Sequence, residues 1–304
     1  MKQTIEYYYD LNINELFIEK DTYHFTLNGE DYYFVPFLKN ENDLKDIINC
    51  SAELKAKGIP CHDILLNIKK EPLTTIDDAK YVLLKVKDKD IEYSIIDIID
   101  YNKKLRLSNI KNNLYRNNWS LLWSKKIDYI EEQLNEITKS NIISLSIDYY
   151  IGLAENAIYY MNIINDKYQD KNNVQLTLAH KRVYYPNTKL NYLNPLSFVF
   201  DYEIRDVTEY VKSAFWGGGD AILELTTYLK SVKLDNYLYN ALFARLIYPS
   251  YYFDEYERIV NQNNDDEVLI KFIKNANKYE TFLKEAYTLI SKYAPLEKIG
   301  WLIY

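Results

Sequence analysis

Hydrophobic and polar positions change their rhythm once along this chain, near residue 90. Before that point, short runs rich in Tyr, Phe and Val dominate. Thr22 to Thr26 and Asp31 to Phe37 read as strands, and Leu27-Asn28-Gly29-Glu30 between them holds the Asn-Gly pair that tight hairpins favour. From Asn42 to Lys57 the residues Leu44, Ile47, Ile48, Cys50 and Leu54 fall near helical spacing, and Gly58 with Pro60 closes the segment as helices are closed. Two more strand-like runs, Ile64 to Lys69 and Lys80 to Lys87, flank a polar turn at Pro72 to Asp78. The predicted order is strand, strand, helix, strand, strand.

From about Ile91 the period lengthens. Ser94 to Leu107, Trp119 to Thr138, Ile143 to Asn165, Ala221 to Lys230 and Glu267 to Tyr293 show helical spacing. Among them, Val174 to Ala179 and Leu196 to Phe200 are short apolar runs separated by a polar loop with Pro186, Asn187 and Pro195, which predicts a hairpin set among helices. No internal repeat is visible. The only glycine cluster, Gly217 to Gly219, follows a helix-like segment ending in Phe215-Trp216 and lacks the Lys-Ser or Lys-Thr of a phosphate-binding loop, so it reads as a helix stop or joint.

Composition narrows the classes. A chain of 304 residues suits one two-lobed fold or two ordinary domains, and 48% hydrophobic with 27% charged residues is the balance of a folded globular protein. The net charge of −7 comes with Lys and Arg scattered among acids, which leaves no basic stripe for nucleic acid. Cys50 and Cys61 have neither CxxC spacing nor disulfide density and read as reduced core thiols. The N-terminal MKQTIEYYYDLNINELF lacks a signal peptide's apolar stretch, and no window predicts a membrane span, so the expected location is the cytoplasm. His24 and His62 have no ligand partners at metal-binding spacing. The 32 tyrosines, clustered at Tyr7 to Tyr9 and at Tyr251 and Tyr252, read first as packing and second as a partner-binding surface.

The candidate chemistry lies in the polar loop and just after it. The loop reads His180-Lys181-Arg182-Val183-Tyr184-Tyr185-Pro186-Asn187, and downstream come Phe198-Val199-Phe200-Asp201 and Arg205-Asp206. On these residues and the element order, the chain resembles the protein-kinase-like superfamily of the aminoglycoside phosphotransferases. Within it, His-x-Arg and the run Phe200 to Asp206 are similar to bacterial spore-coat kinase-like proteins of the CotS and YutH type. The resemblance spans nearly the whole chain. It implies an α+β, protein-kinase-like bilobal fold: a β-rich N-terminal lobe with one helix, residues 1–87, and a larger, mostly helical C-terminal lobe, residues 88–304.

It also implies site roles. His180 and Asn187 match the ends of the family's H-x-D-x-x-x-x-N loop, Asp201 matches the strand-end aspartate that holds magnesium, and Asp206 matches a second aspartate that braces the loop. The candidate catalytic set is therefore His180, Arg182, Asn187, Asp201 and Asp206, with Asn187 and Asp201 as magnesium ligands and cofactor contacts if Mg-ATP binds. Arg182 stands where the loop aspartate belongs. A guanidinium offers donors only, so it can neither take a proton nor coordinate a cation, although it could meet a phosphate or pair with Asp201.

Other parts point the same way. Pro36 lies at or near the place of the third-strand lysine, with Lys39 close but off register, and Glu19-Lys20-Asp21-Thr22 has no glycine for a phosphate-covering turn. Glu41 or Glu53 would be the helix acid for that lysine. The blander readings make His180 a core histidine, and Asp201 and Asp206 solvated loop charges or caps of a helix starting at Val207. Together these features predict a pseudokinase, a binding or assembly scaffold that takes a protein partner or small ligand in the cleft between lobes, in a spore-coat setting if the cell sporulates. The alternative is an atypical ATP-dependent small-molecule phosphotransferase of the aminoglycoside or choline kinase type. The third reading is a coat protein that self-associates through tyrosine-rich faces. The apolar tail Gly300 to Tyr304 is expected to dock rather than hang free.

Overall fold

In the computed structural model, which describes all residues except 20, 106–111, 137–139, 170–173, 263–264 and 304, the first element is a helix that the alternation did not predict, α1 (Lys2–Tyr9). The strands β1 (Phe17–Glu19), β2 (Thr22–Leu27) and β3 (Glu30–Pro36) follow, and the Asn28-Gly29 turn has the expected positive φ at both residues, 53° and 77°. Helix α2 (Glu41–Ala56) starts where the Asn40 side chain accepts the Asp43 N–H.

Next come β4 (Asp63–Leu65), β5 (Thr74–Ile76), β6 (Ala79–Val86), β7 (Glu92–Tyr93) and α3 (Ile95–Lys104), the last with a Ser94–Asp97 capping box. The predicted strand from Ile64 to Lys69 stops at Leu65, because the Asn67 side chain gathers a turn: its oxygen accepts the Lys69 and Glu71 N–H groups and its nitrogen donates to Leu73 O. A second tight turn, Asp77-Asp78, carries positive φ of 46° and 66° and joins β5 to β6.

The sheet runs β1-β2-β3-β6-β4, with β5 also on β6, and these pairings are all antiparallel. Its faces alternate with period two. Phe25, Tyr32, Phe34 and Leu83 pack with Ile5 and Ile13, while Val82, Leu84 and Val86 pack with Phe37 and with Leu44 of α2. Both faces of β6 are covered, which is why Tyr81 to Val86 reads as a nearly continuous apolar run. Each such fully buried side chain contributes roughly 2 kcal/mol.

The later chain is mostly helical: α4 (Trp119–Glu136), α5 (Asn141–Lys167), then β8 (Leu176–His180), β9 (Asn187–Thr188), α6 (Lys189–Tyr192) and β10 (Phe198–Tyr202). After these come α7 (Arg205–Gly217), α8 (Ala221–Ser231), α9 (Asn236–Ile247), α10 (Ser250–Gln262), α11 (Ile270–Ile290) and α12 (Gly300–Ile303). Strand β8 pairs β10, the expected pair set among helices with each strand displaced by about two residues, and β7 pairs β9. The ends of the predicted segments at Leu107 and Thr138, Lys20 in the turn after β1, and the last tail residue Tyr304 lie outside the described residues.

By contacts, the chain divides into two units, residues 1–115 with 186–199, and residues 116–185 with 200–304. The second has a core rich in tyrosine: Tyr150, Tyr160, Tyr237, Tyr252, Tyr256 and Tyr279 are fully buried there. Leu302 of the tail is buried and Trp301 Nε1 donates to Asn156 Oδ1 at 3.0 Å. Cys50 and Cys61 are free, buried thiols pushed up to about 12, chiefly by burial. No helix among the described residues is long and apolar enough to cross a membrane.

Candidate functional site

Helix α7 organises the loop that carries most of the candidate residues. Arg205, Glu209, Ser213 and Gly217 recur every four residues, so they form one row along the helix. Each holds a piece of the loop. Arg205 Nε donates to His180 O at 2.8 Å and Nη2 to Lys181 O at 3.2 Å. Glu209 Oε2 lies 3.6 Å from Arg182 Nε, and Ser213 Oγ accepts the Tyr185 N–H at 2.9 Å.

The glycines end the row. Gly218 stops the helix in the left-handed region at φ 81°, as the sequence predicts. Gly217 and Gly219 do something the sequence did not show: a Cβ at Gly217 would sit 3.0 Å from Tyr185 O, and one at Gly219 would sit 2.5 Å from the Tyr185 ring. The cluster is a seat for the loop tyrosine.

Asp206, next to the row, is fully buried and accepts both the His180 N–H and the His180 Nδ1–H, each at 2.7 Å. These bonds place the ring proton on Nδ1 and tie β8 to the start of α7. The His180 backbone N–H and Nδ1–H are thus both taken by one carboxylate within the same unit.

Asp201, at the end of β10, is likewise 0% exposed. Its Oδ1 accepts the Trp119 Nε1–H at 3.0 Å and the Tyr202 N–H at 2.8 Å, and its Oδ2 accepts the Trp119 Nε1–H at 2.9 Å and pairs with Arg205 Nη1. Burial raises its carboxyl above the ordinary aspartate range, and Arg205 and Arg245 oppose that rise.

Arg182 does not reach Asp201. Its Nε donates to Asp254 Oδ2 at 2.6 Å and its Nη2 to Asp254 Oδ1 at 2.9 Å, a two-point fork on a residue of α10. Burial alone would lower this guanidinium, but Asp254 and Glu209 outweigh it and push it up. Glu209 is the centre of the charges. Lys212 Nζ at 3.1 Å and Arg245 Nη2 at 2.9 Å both meet its Oε1, and burial, which would raise Glu209, is overcome by Lys212, Arg182 and Arg245, which hold it well below the usual range. Lys212, which also donates to Ser250 Oγ at 2.6 Å, is pushed down to about 7, chiefly by burial. Arg245 falls to about 10 by burial and lies 4.6 Å from the Trp119 ring.

Asn187 belongs to the other unit. Its backbone pairs with Tyr93 through β9 and β7, and its side chain is 1% exposed. Neither its Oδ1 nor its Nδ2 has a hydrogen-bond partner among the described residues. In the same unit Pro36 ends β3, Lys39 Nζ donates to Phe198 O at 3.4 Å, Glu41 pairs with Lys80 of β6 at 2.8 Å, and Glu53 pairs with Lys57 at 2.8 Å. The lysine of the Glu41 pair therefore comes from β6 and is not Lys39.

Among the described residues no group of three or more His, Cys, Asp or Glu comes together as a ligand set. Asp201 itself does not fit a divalent cation, because donors from its own unit fill both of its oxygens.

The fold is one that kinase-like phosphotransferases share. The chain aligns with an aminoglycoside phosphotransferase of Alicyclobacillus acidocaldarius subsp. acidocaldarius DSM 446 at TM-score 0.63 and 11% identity, covering 96% of this chain and 97% of that one. A spectinomycin phosphotransferase follows at TM-score 0.61 and 10% identity (95% and 97%), and the choline kinase LicA from Streptococcus pneumoniae at 0.55 and 12% (96% and 98%). The chain belongs to the spore coat putative kinase YutH family, whose model matches residues 2–286. It is also 26% identical, over 337 residues, to the endospore coat-associated protein YutH of Bacillus subtilis (strain 168), covering 99% of this chain and 98% of that protein.

Proposed function

We propose that this protein is a catalytically silent, kinase-like component of the spore coat that acts as a binding or assembly scaffold. The observation that carries this reading is Arg182. Phosphoryl transfer needs a carboxylate at that loop position to orient the substrate hydroxyl, and here a permanently charged guanidinium is locked on Asp254 and Glu209. Asp201 and Asp206, the two aspartates of the motif, are committed to Arg205 and His180. Family membership and the coat-associated relative support the setting.

One observation favours a second reading, an atypical ATP-dependent small-molecule phosphotransferase. The buried Asn187 amide has no partner among the described residues, and buried amides of that kind take ligands.

The test is incubation of the full chain with Mg-ATP and a panel of aminoglycosides, choline and amino alcohols, following phosphorylated product by mass spectrometry. The expected result is no product above a protein-free control. Product that disappears in Asn187→Ala would overturn the scaffold reading and establish the second.

A further inference from the structure

We infer that Arg205 is a resident cation that takes the place of a divalent ion at Asp201, so that the loop from His180 to Tyr185 is assembled without metal. This deepens the silent reading and rests on the same alignment of Asp201 with the metal-holding aspartate of the fold.

The guanidinium has the three directions the position needs. Nη1 meets Asp201 Oδ2, Nε meets His180 O at 2.8 Å, and Nη2 meets Lys181 O at 3.2 Å. One planar group thus ties the end of β10 to the end of β8 and the first loop residue, with each of its three nitrogens on a different acceptor. A lysine, with a single compact ammonium, could not span them.

The local chain puts the guanidinium there. β10 ends at Tyr202, the turn takes Glu203 and Ile204, and Arg205 opens α7 four residues after Asp201. The following residue, Asp206, takes His180, so the two consecutive α7 residues satisfy the loop's start with opposite charges.

A divalent ion has no place left. Magnesium demands near-octahedral oxygen ligands at about 2.1 Å and keeps several waters. Asp201 is 0% exposed, the Trp119 indole N–H contacts both oxygens, and the Tyr202 amide takes one of them. Arg245, stacked on Trp119 at 4.6 Å, adds a second positive charge close to the carboxylate and opposes a dication further.

The experiment uses Mn²⁺ as the probe on the full chain, with thermal unfolding and water-proton relaxation as readouts. The wild type is expected to keep its Tm and show no bound Mn²⁺ at millimolar concentration. Arg205→Ala should lose about 10 °C in Tm, the consequence of an uncompensated buried carboxylate, and Mn²⁺ should restore part of the loss. Adding Asp201→Asn should remove the Mn²⁺ response. If the alanine variant does not fold, Arg205→Lys, which keeps a charge but loses the carbonyl bonds, should fold at a lower Tm and stay indifferent to Mn²⁺.

Stoichiometric Mn²⁺ binding to the wild type that Asp201→Asn abolishes overturns the inference, as does a folded Arg205→Ala protein that ignores Mn²⁺. These outcomes separate from those of the functional reading. Phosphate transfer without Mn²⁺ at Asp201 would sink the scaffold and spare the resident cation; Mn²⁺ at Asp201 without transfer would do the reverse.

Discussion

Two buried polar neighbourhoods of this protein meet the same problem in opposite ways. Around α7, four carboxylates find partners within one unit: Asp201 pairs with Arg205, Glu209 with Lys212 and Arg245, and Asp254 with Arg182, while Asp206 accepts the His180 N–H and Nδ1–H. Around β9 and α6 in the other unit, the buried groups are neutral. His62 there is held by backbone atoms, and Asn187 has no side-chain partner among the described residues. In the first neighbourhood the charges are spent on one another, whereas the second holds a buried amide with no hydrogen-bond partner among the described residues.

The sharpest way to break this contrast is to remove the common anion. Glu209→Ala strands Lys212 and Arg245 in a core where both are nearly inaccessible, and takes one of two acids from Arg182. Leaving buried charges unpaired costs about 3–5 kcal/mol. Urea unfolding should show that loss. A cost within the range of an ordinary surface substitution would mean that the ions do not depend on one another.

A middle-sized effect comes from the neutral neighbourhood. His62 Nε2 lies 3.1 Å from Leu190 O, which can only accept, so Nε2 carries the proton and Nδ1 faces the Lys87 N–H at 3.4 Å as acceptor. Protonation would set two donors against each other. Burial, the main cause, pushes the imidazole down to about 4 from its ordinary 6.5. Because the unfolded chain binds the proton first, the stabilisation is complete above pH 6.5, is lost as pH falls toward 4, and amounts to about 3 kcal/mol. Urea midpoints measured across that window should fall accordingly, and His62→Gln should flatten the slope. An unchanged slope in the variant would assign the acid sensitivity elsewhere.

Sequence patterning made the hairpin at Asn28-Gly29, helix α2, the β8–β10 pair and the helix stop at Gly218 legible, because each rests on a local rule of period, turn or cap. It missed α1 because three consecutive tyrosines look like strand, yet Ile5 on that helix is what closes one face of the sheet. It placed His180, Arg182, Asp201 and Asp206 by motif on and just after the loop, but the side-chain partner it offered Arg182, Asp201, is not the one that residue takes, which is Asp254. Asp254 and Arg245 lie far along the chain on α10 and α9, and nothing in their neighbourhoods marks them as counter-ions. One signal was readable: Arg205, Glu209, Ser213 and Gly217 at intervals of four, polar or small along one row of a helix otherwise built to be buried.

The smallest effect is the most diagnostic for Asn187. Its amide is 1% exposed, and both polar atoms are unpartnered among the described residues. Asn187→Leu preserves approximate volume and removes two polar atoms that pay desolvation without a bond in return. In the purified protein it should therefore be neutral or stabilising by about 1 kcal/mol. That gain exists only while the amide is empty-handed. If the purified protein holds a ligand there, the same substitution removes a binding group and stability drops instead, and the drop should vanish after the protein is refolded from denaturant free of small molecules. Thermal unfolding of the two preparations side by side decides whether the neutral neighbourhood is an idle remnant or the place where this kinase-like protein still meets a partner.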